Sequence, residues 1–195
     1  MNRPDAALRQ ARAEQLAQRL EGRPLVLVGM MGAGKTTVGR RVAARLNRPF
    51  LDSDEEIEKA AMMTIPEFFE QHGETEFRAG ETRVIARVLK DRDVVLATGG
   101  GAFVHGETRA LVKGEAISVW LKAEADILFE RVSRRSNRPL LKTANPRATL
   151  EKLIEDRYPI YAEADVTVVS RDVPQEVVAS DIVDAVLAYL ERQDD

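Results

Sequence analysis

Leu25-Val26-Leu27-Val28-Gly29-Met30-Met31-Gly32-Ala33-Gly34-Lys35-Thr36-Thr37 decides the fold. Four apolar residues make a short strand, three glycines space out a loop, and Lys35 with two threonines opens an amphipathic run. That is G-x-x-x-x-G-K-[ST] between a strand and a helix, the context in which such a loop wraps a phosphate. Glycines allow successive N–H groups to turn inward on an anion, and the following helix adds its positive end. Lys35 is then placed to reach β and γ phosphates, and the Thr36 hydroxyl to ligate magnesium. The nucleotide-binding set read from this stretch is Gly32, Ala33, Gly34, Lys35, Thr36 and Thr37. A plain glycine turn between buried elements would require neither the lysine nor the hydroxyls.

Outward from this loop, apolar runs at 25–28, 49–51, 94–97, 116–121 and 166–169 alternate with helical periodicity. The pattern predicts a three-layer α/β domain with a central five-stranded parallel sheet. Residues 36–46 form the helix after the loop, with Val38, Val42 and Leu46 on one face. The segment 55–90 holds more helix than one crossover needs. Thr64 and Glu67 make a capping box, Gly73 interrupts, and 76–89 continues, so a small helical subdomain over the site is expected. Trp120 is expected in the core. Segment 136–146 is arginine-rich and aperiodic, which suits a lid, with a solvated charge run as the other reading. A helix over 150–161 should bend near Pro159. The last helix, 174–190, offers Val177, Ile182, Val186 and Leu190. Residues 3–21 predict a helical extension with Leu8, Leu16 and Leu20 in intermittent contact, against the alternative of a disordered or partner-binding arm.

Composition narrows the chemistry. The 195 residues carry 32 acidic and 29 basic side chains, a net charge of −3, which gives no reason to expect a nucleic-acid partner. With no cysteine and two histidines, disulfides, thiol catalysis and cysteine-ligated zinc are excluded, so any metal should be hard and oxygen-ligated. No apolar run approaches 18 residues, so no membrane span is expected and the cytoplasm is the default location.

Three clusters carry further chemistry. Asp52-Ser53-Asp54 ends the second strand; if it stays extended, both carboxylates face one way. Asp52 is then placed to hold a magnesium-bound water and Asp54 to face the acceptor, while two helix-capping aspartates are the alternative. Thr98-Gly99-Gly100-Gly101 follows the third strand, where a substrate could lie against backbone N–H groups. Arg78 and Glu81 are three apart on a helix, so Glu81 can orient Arg78. With Arg138 and Arg157 also available, the second substrate or the transferred group should be anionic, although each arginine alone could make surface salt bridges.

Those clusters together resemble the shikimate kinase family, small P-loop enzymes of the nucleoside monophosphate kinase-like class. The likeness runs from about Leu25 to Leu190. It rests on Gly29 to Arg40, Phe50-Leu51-Asp52-Ser53-Asp54, Ile65-Pro66-Glu67-Phe68-Phe69, Gly73 to Arg78 with Glu81, Thr98 to Gly101, Arg138-Pro139-Leu140 and Arg157-Tyr158-Pro159-Ile160-Tyr161. The resemblance implies ATP-dependent phosphorylation of the shikimate 3-hydroxyl, on the route to chorismate and the aromatic amino acids, with Mg2+ as cofactor. It implies that Lys35, Asp54 and Arg138 are catalytic, Arg138 being the lid arginine. Asp54, Arg78, Gly99, Gly100, Gly101 and Arg157 would bind shikimate, Arg78 and Arg157 clamping its carboxylate. Arg131 and Arg171 resemble adenine-side contacts, and Thr36 with Asp52, through water, the magnesium side. The implied layout is an N-terminal extension over 1–22 and one kinase domain over 23–195, including a substrate-binding helical region at 54–90 and a lid at about 134–147. A monomer is expected. A gluconate-kinase-like sugar-acid kinase and a non-catalytic nucleotide-binding module are the alternatives, the first fitting Asp54, Arg78 and the triple glycine less well.

Overall fold

The computed structural model describes residues 3–134 and 143–194. Five parallel strands, β1 (Leu25–Val28), β2 (Phe50–Asp52), β3 (Val95–Ala97), β4 (Ile117–Lys122) and β5 (Val166–Val169), lie in the order β2-β3-β1-β4-β5. All four residues of β1 are fully buried. Since successive side chains of a strand point to opposite faces, both faces of the sheet must be covered, which is the three-layer arrangement.

The covering helices follow from the apolar spacing. α2 (Lys35–Leu46) buries Val38, Val42, Ala43 and Leu46, and its partner α8 (Gln175–Glu191) buries Val178, Ile182, Val186 and Leu190 with Ala179, Val183 and Leu187 beside them. Val178 rather than the half-buried Val177 starts that apolar stripe, because Val178 stands four residues before Ile182 and so on the same face. α1 (Arg3–Arg19) packs on α8 and α2 and buries Ala13 and Leu16, with Leu20 just beyond it. Leu8 is 63% exposed, so the expected contact begins one and a half turns later. The extension is thus helical and part of the core cluster, not a loose arm.

On the other side of the site, α3 (Ser53–Ala61) packs against α4 (Ile65–Lys90), which in turn meets α5 (Gly106–Glu115). Thr64 and Glu67 form the expected capping box, and Gly73 breaks the helix with φ 77° and ψ 176°. A turn of 3-10 helix, Ala102–Val104, precedes α5. α6 (Ala125–Ser133) and α7 (Pro146–Tyr161) complete the fold. Asn145 caps α7 by accepting from Ala148 N, so Pro146, the last residue of the expected irregular segment, already stands in a helix, as does Arg147 at the end of the expected lid range. α7 continues through Pro159 to Tyr161. Trp120 lies in the core at 5% exposure. Among the described residues, no helix is long and apolar enough to cross a membrane.

Candidate active site

Parallel strands put all their C-terminal ends on one edge of the sheet, and the loops leaving β1, β2 and β3 meet there. After β1, Gly34 takes φ 97°, a left-handed conformation that turns the loop into α2. Lys35, only 8% exposed, donates from Nζ to Gly29 O at 2.7 Å and Met30 O at 2.9 Å, so its ammonium lies over the glycine loop. Thr36 Oγ1 donates to Asp52 Oδ2 at 2.8 Å, which brings together the two residues expected on the magnesium side.

The Asp52-Ser53-Asp54 run does not stay extended. Asp52 ends β2 and caps α3, its Oδ1 accepting from Asp54 N at 3.1 Å, so Asp54 already sits in the first helical turn. Its other oxygen, Oδ2, accepts from Thr36, so one carboxylate serves the helix and the site together, each oxygen having two lone-pair directions. Ser53 then points the other way, fully buried, and accepts from Gly99 N at 2.9 Å. That contact holds the glycine loop after β3 against the start of α3. A Cβ on Gly99 would fall 2.6 Å from Asp54 Oδ1, so only glycine lets the loop come this close to the carboxylate.

Two cavities open on either side of this loop. One, of about 450 Å³, is lined by Gly32, Gly34, Lys35, Thr36, Thr37, Asp52, Asp54, Gly99, Gly100, Arg131, Arg134 and Gln175 among others. The second, of about 470 Å³, is lined by Glu74, Thr75, Arg78, Gly101, Val104, His105 and Arg157. Ala33 is buried beneath the first, its carbonyl accepting from Ser170 Oγ at 2.8 Å. Arg131 donates from Nη1 to Ser170 Oγ at 3.0 Å and from Nη2 to Arg171 O at 2.9 Å. Arg171 thus meets the site through its backbone, while its guanidinium pairs with Asp181 on α8. Arg138 lies outside the described residues.

In the second cavity Arg78 Nη1 donates to Glu81 Oε2 at 2.6 Å, the pairing that their spacing predicts. Glu81 is 1% exposed, and burial pushes its carboxyl above the usual carboxylate range, with the Arg78 charge opposing and the Asp54 charge adding to the shift. Arg157 reaches across from α7 and donates from Nη1 to Gly100 O at 3.2 Å. The structure therefore brings Arg78 and Arg157 to one cavity from two elements about 80 residues apart in the chain. Ser53, Gln175 and Tyr161 were not in the set read from sequence. Ser53 sat inside the quoted Asp-Ser-Asp run, and Tyr161 is spaced i, i+4 from Arg157; nothing in the sequence marked Gln175.

A family model described as shikimate kinase matches residues 31–187. A shikimate kinase of Rhodopseudomonas palustris is 57% identical over 185 residues, covering 95% of this chain and 91% of its own. Among solved structures, the shikimate kinase of Acinetobacter baumannii in complex with shikimate superposes with a TM-score of 0.83 at 40% identity, over 88% of this chain and 97% of its own. A gluconokinase of Sinorhizobium meliloti has a TM-score of 0.57 at 21% identity, over 87% of this chain and 92% of its own, which is a likeness of fold alone.

Proposed function

The chain belongs to the shikimate kinase family, and on that premise we propose that it transfers the γ-phosphoryl group of ATP to the 3-hydroxyl of shikimate, giving shikimate 3-phosphate and ADP. One observation carries the reading beyond family membership. The loop Gly99–Gly101 is a wall shared by the lysine-bearing cavity and the two-arginine cavity, with Asp54 packed against it. A phosphate donor and a carboxylated acceptor bound in the two would meet at Asp54.

The roles follow from chemistry. The loop amides and Lys35 hold the β and γ phosphates, and phosphoryl transfer needs little more than alignment and charge stabilisation. Thr36 and Asp52 present hard oxygens beside the phosphate loop, a donor set that fits Mg2+ with Asp52 acting through water. When bound, the ion neutralises charge on the β and γ oxygens. Asp54 hydrogen-bonds the acceptor hydroxyl and takes its proton as the new O–P bond forms. The bond from the γ phosphorus to the bridging oxygen breaks, and its electron pair leaves with ADP. Arg78 and Arg157 grip the acceptor carboxylate from two sides, the planar fork of arginine matching two oxygens. Arg131 lines the nucleotide cavity, and Arg138 is assigned to a closing lid over the phosphates.

Incubation with Mg2+-ATP and shikimate, with gluconate in parallel, tests this by 31P NMR of the products. Shikimate 3-phosphate and ADP in equal amounts are expected. Faster transfer to gluconate, or tight ATP binding with no transfer to shikimate, would overturn the assignment.

A further inference from the structure

Arg157 and Tyr161 are four residues apart on α7 and therefore stand on one face of it, and both donate to the same acceptor, the carbonyl of Gly100. Tyr161 is 1% exposed and is held from the sheet side. Its ring lies 6.1 Å from that of Trp120 on β4 and 6.5 Å from that of Tyr158, whose hydroxyl is itself tied to Ala123 O. Burial raises its hydroxyl to about 12, so it remains a donor at any working pH. Gly100 lies against the phosphate loop, a Cβ there falling in ordinary contact at 3.4 Å from Met31 N. Its carbonyl thus stands where the two cavities meet, held by two donors from α7.

A carbonyl oxygen offers two lone pairs. With Tyr161 on one, the bond from Arg157 Nη1 on the other can be given up without leaving the oxygen unpaired. Without Tyr161, Gly100 O would have Arg157 as its remaining described partner, and releasing that guanidinium to a ligand would strand a half-buried acceptor, which costs free energy. We propose that Tyr161 is a positioning residue for the acceptor: by satisfying Gly100 O, it frees the Arg157 guanidinium for the acceptor carboxylate. The inference rests on the shikimate-binding role given to Arg157 above.

The test is binding and turnover of the full chain carrying Tyr161→Phe, which keeps the ring and removes the donor. KM and calorimetric Kd for shikimate should rise about 5- to 20-fold, with KM for ATP and kcat within about twofold, because the lost hydroxyl acts through Gly100 O and through Arg157, with which it also hydrogen-bonds. In an Arg157→Lys background, which lacks the Nη1 in question, the same substitution should cost less than about twofold. Replacement of Tyr161 by 4-aminophenylalanine, which restores a donor on the same ring, should recover the wild-type KM. Equal losses for ATP and shikimate, an equal penalty in both backgrounds, no recovery with the amine, or a Tyr161→Phe protein that fails to fold would each overturn the proposal. Failure of the wild-type protein to bind shikimate would instead reject the functional reading on which it rests.

Discussion

Gly101→Ala isolates the Arg78 half of the proposed clamp. A Cβ at this position would lie 2.6 Å from Arg78 Nη2, 2.8 Å from Nη1 and 2.9 Å from Cζ, so the whole guanidinium is in the way. Restoring ordinary contact, from 2.6 Å to 3.4 Å, requires a shift of about 0.8 Å. The arginine cannot make that shift without cost, because Nη1 is bonded to Glu81, a carboxyl only 1% exposed that would lose its charged partner. A displacement near 1 Å of a positioning group costs on the order of 100-fold in rate. We expect kcat/KM for shikimate to fall about 30- to 100-fold, roughly 2–3 kcal/mol of transition-state binding. The backbone itself should not object: Gly101 has φ −101° and ψ −15°, where alanine is at ease, so the thermal midpoint should stay within about 3 °C of wild type. KM for ATP should be unchanged, as Gly101 lines the arginine cavity and not the lysine cavity. Gly106→Ala, with nothing within 4 Å of the added carbon, is the control. A coupled assay of ADP release, saturating each substrate in turn, reads the two kinetic quantities, and a thermal melt reads the third. Wild-type kcat/KM for shikimate in a folded Gly101→Ala protein would refute the placement of Arg78, and a parallel rise in KM for ATP would show that the two cavities are not separate.

Lys35→Ala should lower kcat at least about 100-fold, the scale of losing a charge-stabilising donor at the transferring group, and near-normal single-turnover rates in the folded variant would contradict its role. Asp52→Asn should chiefly raise the magnesium requirement, whereas Asp54→Asn should chiefly damage acceptor use; identical magnesium and shikimate titrations for the two would reject that division. The Tyr161 hydroxyl holds its proton more tightly in the folded than in the unfolded chain, so its contribution to stability is whole below pH 10 and is lost as pH rises to about 12. Urea unfolding between those values should show a fall on the order of 2–3 kcal/mol in wild type that is missing in Tyr161→Phe, and equal slopes would remove the buried-donor argument.

The sequence by itself determined the sheet, the phosphate loop and most of the candidate site. Those features are local: short continuous apolar runs, a loop whose glycines and lysine fall close together, a capping box at Thr64, an Arg78–Glu81 pair three residues apart. Local signals fail where two segments compete for the same atoms. Asp52-Ser53-Asp54 could have stayed extended, but an aspartate before a helical run captures the free N–H of Asp54, and that capture turns Ser53 onto Gly99. Leu8 has the right spacing on α1 yet is 63% exposed: it borders an open groove beside Val177, Ser180 and Asp184 of α8, and periodicity alone does not tell a filled contact from an open one. The cavity shared by Arg78 and Arg157, the crowding of Arg78 by Gly101 and the two donors on Gly100 O were decided only in three dimensions. Each joins α7 or α4 to the loop after β3, and contacts across such distances in the chain leave no period to read.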